Sequence, residues 1–112
     1  MTTTAKVLVN TTQLTTGAAT YYTTPASTTT VIRAATMCNT TGGAVTYTAH
    51  LVPSAGSVAD NNMVAKEQSV AAGATVSMTE LLGKVLTAGM TIRMLASAGA
   101  SLTPDIAGME IT

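Results

Sequence analysis

Breaks punctuate this sequence at short intervals. Thr24-Pro25-Ala26-Ser27, Asn39-Thr40-Thr41-Gly42-Gly43, Pro53-Ser54-Ala55-Gly56-Ser57, Ala72-Gly73, Ala88-Gly89 and Ala98-Gly99 each supply a Pro with fixed φ or a Gly free to adopt a positive one. Between them lie short runs rich in β-branched and apolar residues, the spacing of an all-β fold. The reading is an antiparallel β-sandwich, jelly-roll-like, with about 8 short strands. Strands are predicted at residues 5–10, 19–24, 29–38, 44–52, 63–70, 74–80, 90–97 and 105–111. Residues 1–112 form one domain, with 1–6 a candidate extended arm.

Two segments carry most of the pattern. In AVTYTAHLV, Val45, Tyr47, Ala49 and Leu51 share one face while Thr46, Thr48 and His50 share the other, the two-residue period of a half-buried strand. In TTVIRAATMC, strict alternation puts Ile32, Ala34 and Cys38 on one side and Val31, Arg33, Ala35 and Met37 on the other, so the strand is apolar on both faces and central. Residues 57–70 are the main helix candidate, but Val58, Met63, Val64 and Val70 fit a helical period loosely, and loop plus strand is the better reading. A single helical turn is also open at Met78–Gly83. AAGATVSM and TAGMTIRM repeat a Gly turn before an alternating strand, but two copies are too few to stack as a solenoid.

Charged residues make up 9% of the chain, against ~25% in an ordinary globular protein. Five basic residues balance five acidic ones, so no basic stripe exists to neutralise phosphates and nucleic-acid binding is not expected. No run is long and apolar enough to suggest a membrane span, and the N-terminal residues do not read as a secretory signal, so folding in the cytosol is expected. Abundant threonine supplies polarity without charge and favours a pleated sheet. With no Phe or Trp, the core must be built from Val, Ile, Leu, Ala and seven Met. A surface so poor in repelling charge favours association with neighbours.

Candidate chemistry is sparse. His50 is the single histidine, placed by its strand on a solvent or interface face, with no partner pattern for a metal or a catalytic base. Cys38 is alone, reads as a small buried filler, and cannot form an intrachain disulfide. The acidic residues are scattered, and Gly42-Gly43 and Gly73 lack the spacing of phosphate loops. Asn10 and Asn39 match the N-glycosylation pattern as a by-product of so much Thr. Met63, Met78, Met90, Met94 and Met109 read as core filling. No catalytic, cofactor-binding or metal-ligating residue is assigned and no cofactor is implied. A sugar-binding module is the alternative from a different class, with Tyr21, Tyr22 and Tyr47 its sole stacking candidates.

Tyr22 to Pro25 (Tyr-x-x-Pro), Cys38-Asn39-Thr40, His50-Leu51-Val52-Pro53-Ser54 and Leu86 to Arg93 (Leu-x-Ala-Gly-x-x-Ile-Arg) stand within YYTTPASTTTVIRAATMCNTTGGAVTYTAHLVPSAGSVAD and VLTAGMTIRMLAS. In these stretches the chain resembles small virion structural proteins of tailed bacteriophages, from about Tyr21 to Thr112. Met90 stands where such proteins commonly have Asp. The resemblance implies a β-sandwich without enzymatic activity that decorates or cements a capsid, or else belongs to the neck, fibre or tail. It further implies a homo-oligomer, trimer or dimer, seated on the major capsid protein or another virion protein, in a virion assembled in the host bacterial cytoplasm. Edge strands read as lacking Lys or Pro protection would pair across subunits.

Overall fold

The computed structural model describes residues 1–112. Nine strands follow one another along the chain: β1 (Thr3–Val9), β2 (Ala19–Thr23), β3 (Thr29–Asn39), β4 (Val45–Val52), β5 (Met63–Val70), β6 (Thr75–Ser77), β7 (Val85–Leu86), β8 (Thr91–Ala96) and β9 (Leu102–Ile111). Sheet A has the order β1-β9-β3-β6, with β7 also paired to β3, and sheet B has the order β2-β8-β4-β5. All the pairings are antiparallel. Every connection crosses between sheets except β4 to β5 and β6 to β7, which gives a jelly-roll sandwich.

The segments β6 and β7 are one edge strand interrupted by a 3-10 turn at Thr79–Leu81. Hydrogen bonds from Met78 N to Ala35 O and from Gly83 N to Ile32 O hold both margins of the interruption to β3. Met78 and Leu81 drop inward and are fully buried, and Gly83 at φ +77 returns the chain to the sheet. The core between the sheets combines Ile32, Met37, Leu86 and Ile106 with Val70, Ile92 and Met94, closed at the β1–β2 loop by Leu14.

Several expectations need correction. The ladder between β3 and β9 shifts between Ile32 and Ala34, so Arg33 sits at a bulge. Strict alternation fails there: Ile32, Ala35 and Met37 face the core, whereas Ala34 and Cys38 do not. Cys38 is half-buried rather than a buried filler. Of the candidate arm, residues 1–6, the last four belong to β1, with Lys6 opposite Gly108 in the ladder to β9. The helix candidate resolves into a 3-10 turn at Asp60–Asn62 followed by β5.

The edges are also better protected than expected. Lys6 lies on β1 and Lys66 on β5, and β5 is bulged, with Glu67 at φ 48 donating its N–H to Thr48 Oγ1. Charge and a bulge are both devices that discourage strand-to-strand association.

Candidate interaction surface

The two outer faces of the sandwich differ. On sheet B, outward residues Thr48, His50 and Val52 of β4 are nonetheless buried. The β4–β5 connection lies over the last two: His50 Nδ1 is 2.8 Å from Asn62 Oδ1, and a Cβ added at Gly56 would stand 3.3 Å from Val52 Cγ1, while Thr48 Oγ1 accepts from Glu67 N in the β5 bulge. Asn62 Oδ1 also accepts from Ala59 N, and its Nδ2 donates to Ser57 O, which fixes the amide orientation and makes His50 Nδ1 the donor. His50 is therefore covered by its own chain, not presented to solvent or to a neighbour.

Sheet A has no such cover. Its registers align Ala5, Met109, Val31 and Val85 across four strands, and Val7, Ala107 and Ala34 in the adjacent row. These positions alternate with the buried Leu8, Ile32, Leu86 and Ile106, so they point outward. Val7 and Val85, at opposite margins, are 52% and 54% exposed, and Met109 and Val31 are half-buried. Ala5, Val7, Ala107 and Met109, with Arg33, line a shallow depression on this face. Threonines ring the apolar rows: Thr3 and Thr29 flank Ile111 at one end, and Thr36 pairs with Asp105 at the other. An apolar centre with a polar rim is the anatomy of a protein–protein contact.

Two tyrosines tie the sheets together inside. Tyr22 OH donates to Glu110 Oε2 at 2.5 Å and lies 2.8 Å from Thr30 Oγ1. Lys6 Nζ completes the cluster at 3.3 Å from Glu110, so β2 is joined to β1, β3 and β9. Burial, the hydrogen bond to Glu110 and that carboxylate's charge push the Tyr22 phenol up to about 12, against a smaller lowering by Thr30. Nearer the opposite margin, Tyr47 OH donates to Glu80 Oε1 at 2.5 Å, and burial followed by Glu80 raises its pKa as well. Both rings are buried, and the Tyr21 hydroxyl accepts from Thr15 N, so these residues serve the fold rather than an exposed stacking platform.

The remaining sequence candidates are dispersed. Asn39 is buried with its amide fully engaged: Nδ2 donates to Gly43 O and Val70 O, and Oδ1 accepts from Thr41 N and Thr41 Oγ1. That side chain organises a turn and is sealed from a glycosyl donor. Met78 and Met94 are core residues as expected, while Met109 belongs to the outer row and Met63 and Met90 are half-buried. No three His, Cys, Asp or Glu side chains converge. Sequence reasoning missed the outer rows of sheet A. Their trace was the run Ile106–Ile111, where Ala107, Met109 and Ile111 make the second face as apolar as the first.

No protein-family model and no curated protein matches this chain. Its strand order places it in the class of jelly-roll β-sandwiches. Among solved structures it is similar to a chain in the structure of infectious bursal disease virus, Gx strain, with a TM-score of 0.53 and 10% identity. The match covers 97% of this chain and 31% of that one, so this chain spans about a third of the neighbour's length, and the likeness is one of fold.

Proposed function

We propose that this chain is a structural subunit of a virus particle, and within that class a decoration or cement protein of a tailed-bacteriophage capsid. The observation that carries the reading is the uncovered apolar outer face of sheet A on a jelly roll whose other outer face is partly sealed by its own loop. A flat, low-charge face ringed by threonine suits packing against neighbouring subunits. The sequence motifs resembling phage virion proteins support the finer assignment, and the viral source of the neighbouring structure is in keeping with the coarser one. Repetition over a shell lattice makes weak individual contacts effective through avidity.

The test is the copy number of the protein in purified particles, by quantitative mass spectrometry against the major shell protein. A decoration role requires a stoichiometry in simple proportion to the shell subunits. A handful of copies would move the protein to the neck, fibre or tail, and absence from particles would end the virion reading.

A further inference from the structure

Resting on the reading of sheet A as a contact surface, we propose that its outer face is covered by the same face of a second copy. The two-fold axis runs along the strands between β3 and β9. Three observations point to this occupant.

The first is charge. Arg33 and Asp105 both border the apolar rows and are both exposed, and the chain's single ion pair, Lys6 with Glu110, leaves each without a partner. A face carrying one unpaired cation and one unpaired anion is complementary to itself, which an isologous contact requires.

The second is shape. An axis between β3 and β9 lays β9 of one copy over β3 of the other, and β1 over the β6–β7 edge. Met109 then faces the partner's Val31, Ala5 faces the partner's Val85, and Ala107 faces the partner's Ala34. Large residues meet smaller ones, and the alanine rows allow the ~10 Å approach of packed sheets. Arg33, level with the Ala107 row, lies one row, about 7 Å along the strand, from the partner's Asp105, within reach of its side chain.

The third is area. Four strands at ~4.8 Å spacing and about 30 Å of strand length give a face of roughly 600 Å² in projection. Its corrugated accessible surface approaches the ~800 Å² that each partner contributes to a standard interface.

The test is charge reversal followed by mixing. Sedimentation of the wild-type protein is expected to give a two-copy mass. Arg33→Asp sets two acidic groups against each other in both symmetry-related pairs, which lie side by side across the axis, and Asp105→Arg sets two basic ones. Each is expected to weaken self-association about a hundredfold while the thermal midpoint of the monomer stays in place. An equal mixture of the two variants restores both oppositely charged pairs, so a heterodimer is expected where neither variant dimerises alone. Ala107→Arg, at the centre of the face, should also abolish the dimer. A monomeric or three-copy wild-type protein would overturn the proposal, as would a dimer indifferent to all three substitutions. A monomer found abundantly in particles would sink the dimer and leave the virion reading standing; a dimer absent from particles would do the reverse.

Discussion

Tyr22 OH and Glu110 Oε2, 2.5 Å apart, join a strand of sheet B to a strand of sheet A across the interior of the sandwich. The matching contact, Tyr47 to Glu80, has the same length and its carboxylate is partly buried too, but the Tyr22 hydroxyl serves two partners, Glu110 and the fully buried Thr30. Removing the Tyr22 hydroxyl takes a partner from Glu110 and from the buried Thr30 hydroxyl, while removing that of Tyr47 takes one from Glu80 alone. Tyr22→Phe is therefore expected to cost about 2 kcal/mol and Tyr47→Phe about 1 kcal/mol, read from urea unfolding midpoints. Equal costs would mean that the Tyr22 cluster contributes no more than the single Tyr47 contact.

The same two phenols give the fold an alkaline limit. A tyrosine whose folded pKa is raised holds its proton more tightly in the native state, so its contribution is fully present below the unfolded value near 10 and lost as pH rises through the folded value. For Tyr22 that window runs from 10 to about 12, and Tyr47 shifts in the same direction. Stability should be flat through neutral pH with respect to these groups and fall above pH 10. Tyrosinate absorbance should show a late component that is smaller in Tyr22→Phe, with that of Tyr47 remaining.

Glycines divide into those the backbone needs and those it tolerates. A Cβ at Gly108 would stand 2.1 Å from the carbonyl oxygen of Val31, a backbone atom inside the β3–β9 ladder that cannot move aside. At Gly89 the nearest atoms are Ser54 Oγ, which can rotate away, and Ser54 Cβ at 2.8 Å, which moves only with its surface loop, and φ is +83; at Gly42 nothing lies within 4 Å. Gly108→Ala is expected to cost about 3 kcal/mol or more, Gly89→Ala about 2 kcal/mol, and Gly42→Ala close to nothing. Thermal melts of the three variants check the order, and an innocuous Gly108→Ala would contradict the ladder geometry.

The strands were legible because turn chemistry is local. Gly73 at φ +69 and Gly89 at φ +83 each precede a strand, β6 and β8, which explains the repeated Ala-Gly-x-Thr pattern as two turn exits. Faces were legible only where alternation runs unbroken, as in β4, where Tyr47 and Ala49 point to the core as expected. In β3 the bulge at Arg33 inverts the pattern beyond it, and a run apolar on both faces gives no sign of the slip. His50 was misplaced for a different reason: its strand parity was right, but the loop that folds over it is a non-local event. The outer rows of sheet A depend on the registers of four strands at once, which no single segment encodes.

Asn39 is a buried amide with each polar atom satisfied, tying the end of β3 to the 40–43 turn and to Val70 at the end of β5. Asn39→Ala strands the carbonyl oxygens of Gly43 and Val70 and the N–H of Thr41. A cost of about 3 kcal/mol is expected. Asn39→Asp keeps the acceptor and loses the donor, so it should retain the turn and still be destabilised, with faster amide exchange at Val70 than at Thr41. Uniform exchange across both residues would show that the side chain does not bridge them.

Asn62 fastens the β4–β5 connection over sheet B by engaging His50, Ala59 and Ser57. Cutting that fastening should free the loop without unfolding the sandwich, because the core residues beneath belong to strands paired on both sides, as β4 is by β5 and β8. In Asn62→Ala, limited proteolysis is expected to cleave within residues 53–62 at least tenfold faster, for a loss of about 1–2 kcal/mol of local opening energy, while strand amides keep their protection. His50→Ala removes one of the three contacts and should give a smaller increase at the same sites. Cleavage elsewhere, or global unfolding in Asn62→Ala, would mean that the connection is part of the cooperative core, and that the contrast between a strapped sheet B and an open sheet A is weaker than the hydrogen bonds indicate.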